Sequence, residues 1–240
     1  MITEHTQQRT DKLIEEQVRK WELEKSARKK RGKLPKPVIT ISRQPGSGSH
    51  LIAPLIAEEF EIDLFDDKII DEVAESARMS EKVIASLDEK MRSTLDNWIQ
   101  FLKTTRWMMA DKYLFHLTKV IGTAGRHGGA VIIGRGANLI LPPDETLRIR
   151  LIAPMEVKIQ NLSEGLKISV KEAERKVIQM EAERKAFIKK LFKVDIDDPI
   201  HYDLIINTQY VGMNAIIDIV KATMKQKKLP SRRTTDAKSE

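Results

Sequence analysis

Residues 38–60 read V-I-T-I-S-R-Q-P-G-S-G-S-H-L-I-A-P-L-I-A-E-E-F, and three kinds of local structure follow one another in them. Val38, Ile39, Thr40 and Ile41 are a short, β-branched, apolar run of the kind that forms parallel strands buried on both faces. Pro45, Gly46, Ser47, Gly48 and Ser49 make a turn. Leu51, Ile52, Leu55, Ile56 and Phe60 then recur at the spacing of one helix face. Strand, glycine turn and helix together are the layout of a phosphate-binding loop. Glycines let backbone N–H groups approach an anion, and the helix N-terminus adds a partial positive charge. An ordinary strand-to-helix turn would use the same glycines for backbone reasons alone.

The loop departs from the usual G-x-x-x-x-G-K-[ST] signature. Aligned on Gly48, Arg43 stands at the first glycine, Ser49 at the lysine and His50 at the Ser/Thr. The lysine that would reach the β- and γ-phosphates is missing. The hydroxyl that would ligate magnesium is missing from its place too, although Ser49 lies one residue away.

Outward from this stretch the pattern repeats. Ile62, Asp63, Leu64 and Phe65 form a second strand candidate, followed by Asp66, Asp67 and Lys68, which lie where ligands bind in open α/β sheets, beyond a strand's carboxyl end. Asp66 or Asp67 would also cap a helix running from 68 to about 77. Ser80 is expected to cap a further short helix holding Val83, Ile84 and Leu87. A long helix is expected over about 95–121, ended by Gly122, Gly125, Gly128 and Gly129. Its aromatic and methionine stripe, Trp98 to Tyr113 and beyond, reads as core.

Ala130 to Ile133 make a third strand, with Gly134-Arg135-Gly136-Ala137 at its end. An arginine between two glycines there is placed to fork onto a phosphate or carboxylate; a surface arginine in a tight turn is the plainer alternative. Leu147, Ile149, Leu151 and Ile152 give a fourth strand. A helix over about 155–162 and a charged one over about 169–192 follow, the latter carrying Arg175, Arg184, Lys185 and Lys189. Glu181 precedes Arg184 by three residues, a spacing that pairs them on one face. Residues 203–207 make a fifth strand, and a closing helix runs to about 226. Five apolar strands alternating with helices imply an α/β domain with a parallel sheet covered on both faces.

Composition narrows the classes. The 240 residues include no cysteine, which removes disulfides, thiolate metal sites and thiol catalysis, and fits a cytoplasmic location. No run approaches the roughly 20 apolar residues of a membrane span, and the N-terminus has no signal-type apolar core. The net charge of +7 gathers at the ends, in Lys25 to Lys33 and Lys225 to Arg233. Without interleaved aromatics these read as solvated tails rather than a nucleic-acid surface. The expected organisation is a helical arm and linker (1–36), one domain (37–224) and a basic, disordered tail (225–240). The arm's weak stripe of Leu13, Ile14, Val18, Trp21 and Leu23 would dock on the domain or on a second subunit, the latter giving a homodimer.

The ordered set I-S-R-Q-P-G-S-G-S, L-F-D-D-K-I-I, V-I-I-G-R-G-A, R-L-I-A-P-M-E, E-A-E-R-K and Y-D-L-I-I-N-T resembles the cytidylate kinase-like branch of P-loop nucleoside monophosphate kinases, over about 38–220. The resemblance implies a three-layer P-loop kinase fold with a five-stranded parallel sheet, a helical acceptor-binding segment and a helical lid. It implies MgATP and a nucleoside monophosphate, CMP or dCMP, as substrates. By position it assigns the ATP phosphates to Gly46, Ser47, Gly48, Ser49 and His50, with Ser49 the candidate magnesium ligand. It assigns the acceptor to Asp67, Lys68 and Arg135. Arg43, Arg135, Arg175 and Arg184 become the candidate catalytic cations, since phosphoryl transfer is largely positioning and charge neutralisation. Another small acceptor, or a silent nucleotide sensor read out by the arm, are the competing expectations.

Overall fold

The computed structural model describes residues 4–31, 36–105 and 112–227. In chain order the elements are α1 (Glu4–Arg31), β1 (Val38–Arg43), α2 (Ser49–Glu59), β2 (Asp63–Phe65), α3 (Asp67–Glu75), α4 (Ala77–Ala85), α5 (Glu89–Thr105) and α6 (Lys112–His127). After these come β3 (Ala130–Ile133), α7 (Ala137–Ile140), β4 (Leu147–Ile152), α8 (Met155–Leu166), α9 (Val170–Phe192), a 3-10 turn (Pro199–His201), β5 (Leu204–Asn207) and α10 (Met213–Lys227). The five strands form one parallel sheet in the order β2-β3-β1-β4-β5. This is the α/β, three-layer arrangement expected of a P-loop kinase.

The alternation of side chains along the strands divides the core in two. Ile39, Ile41, Val131, Ile133, Leu147, Ile149 and Leu151 face α2 and α10, where Ile52, Ile56, Ile216 and Val220 meet them. Val38, Ala130 and Ile132 face the other layer, built from α1, α3, α4, α6, α7 and the end of α9. Because neighbouring strands are parallel, every strand end points the same way. The loops after β1, β2, β3 and β4 therefore gather along one edge of the sheet, and the sheet's direction of growth reverses at β1.

The expected helix over 95–121 is two helices, α5 and α6, with 106–111 and their Trp107, Met108 and Met109 outside the described residues. Gly122 and Gly125 lie inside α6 rather than at its end, because the helix packs closely there: an added Cβ on Gly122 would fall 2.4 Å from Leu95 Cδ1. α4 begins at Ala77, capped by Ser76, whose hydroxyl accepts from Met79 N at 3.3 Å. Ser80 is instead buried in that helix, against His116 Nδ1 at 3.2 Å. The closing helix runs through Lys227, whose Nζ reaches Thr146 O and Asp203, so 225–227 belong to the domain; 228–240 lie outside the described residues.

The arm docks on its own domain. Ile14 and Trp21 are buried, Trp21 stacks on the His127 ring with centroids 4.2 Å apart, and Lys82 bonds Glu15 at 2.6 Å. Arg78 pairs with Asp11, and Gln17 and Lys20 both reach Asp63 at the start of β2. Leu13 and Leu23 remain exposed. Among the described residues no helix is long and apolar enough to cross a membrane.

Candidate active site

The turn after β1 has the backbone geometry of an anion cradle. Gly46 and Gly48 take φ of 72° and 76°, and Gly48 caps α2 with its carbonyl accepting from Leu51 N at 3.0 Å and Ile52 N at 3.1 Å, which leaves the N–H groups of Ser49 and His50 at the open end of the helix. Ser47 is buried and donates its hydroxyl to Gln44 O at 2.8 Å. Gln44 ties the turn to β4: its N–H donates to Leu151 O at 2.9 Å and its Oε1 accepts from Ala153 N at 3.1 Å. Position 46 admits only glycine, because α8 lies directly on it. A Cβ there would sit 2.3 Å from Lys158 O.

The turn after β3 is a second unusual backbone. Gly134, Arg135 and Gly136 take φ of 74°, 51° and 69°, three left-handed residues in succession. An arginine in this region is disfavoured and persists where its surroundings hold it. Gly134 makes room for Arg43, whose Nη1 would be 2.2 Å from a Cβ. Arg43 and Arg135 therefore approach one another from adjacent strands.

Acidic residues of α3 hold both cations. Arg43 Nη2 bonds Asp67 Oδ2 at 2.6 Å, and Arg135 Nη2 pairs with Asp71 Oδ2. Asp71 Oδ1 accepts the hydroxyl of Tyr113, on α6, at 2.7 Å. The Arg135 guanidinium lies 5.2 Å from the centre of the Phe187 ring on α9, while its Nε is buried and makes no hydrogen bond among the described residues. Arg184, also on α9, donates from Nη1 to the backbone oxygen of Arg43 at 3.0 Å. A cleft of about 310 Å³ runs between these groups, lined by Arg43, Asp67, Arg135, Arg184, Phe187 and Tyr202 among others.

The electrostatics follow the geometry. Burial, then the neighbouring Arg43 and Arg135, pull the Arg184 guanidinium down to about 10, Asp67 opposing. Burial works to raise the Asp67 carboxyl, but the charge and hydrogen bond of Arg43 outweigh it, and the net shift is downward. Burial likewise opposes the Arg135 charge, and Asp71 outweighs it, so Arg135 moves up. Burial and then Asp71 push the Tyr113 hydroxyl well up, so it is a donor at any ordinary pH. Three guanidiniums crowd one cleft, and Arg184 has no ion-paired carboxylate among the described residues. Such a site is made to receive an anion.

The remaining expected residues are placed less centrally. Ser49 is the first residue of α2 and half-buried; His50 and Lys68 are exposed. Arg175 is exposed on α9. It precedes Arg184 by nine residues, about 13.5 Å and half a turn round a straight helix, so the two face opposite ways. Glu181 does not pair with Arg184; it takes Lys158 Nζ at 2.6 Å, because α8 packs along the same side of α9. Asp71, Tyr113 and Phe187 belong to the site without having been expected there. Asp71 was findable, since it lies one helical turn after Asp67. Tyr113 sits in a stretch whose spacing reads as core, and Phe187 in a charged helix that reads as solvated.

Comparison with known proteins agrees with this architecture. The chain is 27% identical over 193 residues to a cytidylate kinase of Methanocaldococcus jannaschii, spanning 78% of this chain and 97% of that one. It is 29% identical over 188 residues to a cytidylate kinase of Methanopyrus kandleri, spanning 78% and 92%. An uncharacterised protein from Eubacterium ventriosum has the same fold, with a TM-score of 0.62 at 22% identity over 80% of this chain and 99% of that one. The cytidylate kinase-like family matches residues 38–210, covering β1 to the turn beyond β5 and both arginine-bearing loops. The chain thus belongs to the cytidylate kinase-like family.

Proposed function

We propose that this protein transfers the γ-phosphoryl group of MgATP to a nucleoside monophosphate, with CMP or dCMP as the acceptor by relationship to the archaeal cytidylate kinases. The observation that carries the reading is the convergence of Arg43, Arg135 and Arg184 on one cleft beside the glycine turn. In this reading the acceptor phosphate is held by Arg135, and the ATP phosphates lie on Gly46, Ser47, Gly48 and Ser49. An acceptor oxygen attacks the γ-phosphorus as its bond to the bridging oxygen of ADP breaks. The arginines neutralise the charge that spreads over the transferred group. Magnesium, when bound with ATP, would supply further charge neutralisation, and the Ser49 hydroxyl at the start of α2 is the side chain that would hold it. α8 and α9 act as the lid, with Arg184 its inward cation and Arg175 free to turn inward only on a larger movement.

ADP release from MgATP, measured across a panel of nucleoside monophosphates and small phosphorylated acceptors, tests the proposal. Acceptor-dependent turnover that vanishes in Arg135→Ala is the expected result. The absence of lysine from the turn favours a second reading, a nucleotide sensor without turnover. ATP binding with no turnover on any acceptor would select it.

A further inference from the structure

The turn that lacks a lysine is roofed by a helix that carries one. Lys158, near the start of α8, is 5% exposed, with its Nζ 2.6 Å from Glu181 Oε1 on α9. Its backbone rests on the turn, 2.3 Å (O) and 2.7 Å (Cα) from where a Gly46 Cβ would be. One turn of helix later, Asn161 Nδ2 donates to Gly46 O at 2.8 Å and fastens α8 to the same residue. Glu181 in turn lines a small cleft with Arg43, Gln44 and Arg184. The backbone of Lys158 thus lies against the glycine turn, and its buried ammonium is held by a carboxylate that borders the arginine cluster.

Packing does not account for this. Burying an ammonium costs more than burying an apolar side chain of its size, and a buried ion pair is seldom the cheaper way to join two helices. A lysine also carries its charge on a flexible four-carbon stem, so Nζ can change partner without moving the helix.

We infer that Lys158 supplies from α8 the ammonium that Ser49 does not supply from α2, and that Glu181 is its resting partner. This rests on the reading of the protein as an ATP-dependent kinase. A triphosphate on the turn competes with the Glu181 carboxylate for Nζ. The ammonium then neutralises phosphate charge; it makes and breaks no covalent bond and exchanges no proton. Because its carrier is α8, the charge is delivered by the element that closes over the nucleotide, and nucleotide binding and the seating of α8 on α9 become one event.

The test is equilibrium binding of ATP and of adenosine by calorimetry, beside melting without nucleotide. The variants are Lys158→Met, Lys158→Arg, Glu181→Gln and the double variant Lys158→Met/Glu181→Leu. ATP affinity should fall about tenfold or more in Lys158→Met, as for loss of a charge-assisted contact, with adenosine unaffected. Lys158→Arg should keep most of the affinity, and Glu181→Gln should bind ATP as tightly as the parent or more so. The double variant has an apolar pair in place of the ionic one and keeps the packing. It should remain as weak as Lys158→Met. Parent-like ATP affinity in a folded Lys158→Met, or recovery in the double variant, would reduce the pair to a clamp between two helices and overturn the inference alone. A parent protein that binds no ATP would overturn the kinase reading along with it.

Discussion

Tyr113 and Asp71 lie on different helices and share a 2.7 Å hydrogen bond, while the other oxygen of Asp71 carries Arg135. The chain Tyr113–Asp71–Arg135 spans α6, α3 and the turn after β3. It restrains a guanidinium whose own backbone is in the left-handed region. The Arg135 side of the cleft is therefore set by residues that do not line it.

Tyr113→Phe keeps the ring and removes the donor. The expected cost is about 1 kcal/mol of stability. The acceptor KM should rise about three- to tenfold with a smaller change in kcat, the pattern of weakened positioning. Urea unfolding and steady-state kinetics with the acceptor varied check both. An unchanged acceptor KM would detach Tyr113 from the site.

Gly46→Ala places a methyl group against the α8 backbone, which has no flexible end to yield. It also forces a φ of 72° on an L-residue. Strain and displacement together should cost about 2 kcal/mol or more and should abolish ATP binding in whatever fraction folds. Thermal melting and nucleotide calorimetry read the two effects separately.

Three carboxyls lie below their usual range despite burial, which acts to raise them: Asp67 beside Arg43, Asp197 between Lys185 and Arg150, and Asp203 between Arg148 and Lys227. A depressed folded-state pKa contributes stability above the unfolded value of 3.8, and that contribution is lost as pH falls through the folded value. Stability should hold from neutrality down to about pH 4 and then fall steeply. Asp203→Asn should lower stability at pH 7 by about 1–3 kcal/mol and by less at pH 2. Denaturant unfolding at the two pH values gives the comparison; an equal loss at both would rule out linkage.

Trp21→Ala removes a side chain that is 3% exposed and stacked on His127. The loss should be about 3–5 kcal/mol, with the arm released before the domain melts. Limited proteolysis should then cut within 4–31 first. Cleavage elsewhere at the parent rate and pattern would show the arm to be weakly held.

The strands and their direction are legible in the sequence because their apolar runs are short, uninterrupted and bounded by glycine or proline. Asp67 and Arg135 are singled out by their places just past strand ends, whereas Arg43 and Arg184 are singled out only through the family resemblance, since a charged helix such as the one bearing Arg184 reads by its spacing as a solvated face. Helix partition is not legible in the same way. Gly122 and Gly125 look like breakers, but close packing against Leu95 and Leu141 uses them inside α6. Ser76 and Ser80 are equivalent as candidate caps, and only the burial of Ser80 separates them. The i, i+3 spacing favours Glu181–Arg184, yet the competing partner comes from a helix 23 residues away, beyond the reach of local pattern.

Residues 38–210 carry the family match, and the arm precedes them. Ile70 and Val73 of α3 and Val83 of α4 nonetheless turn apolar surface toward Ile14 and Trp21. Those two helices take part of their cover from the arm: without α1, apolar side chains of α3 and α4 would face water as one patch.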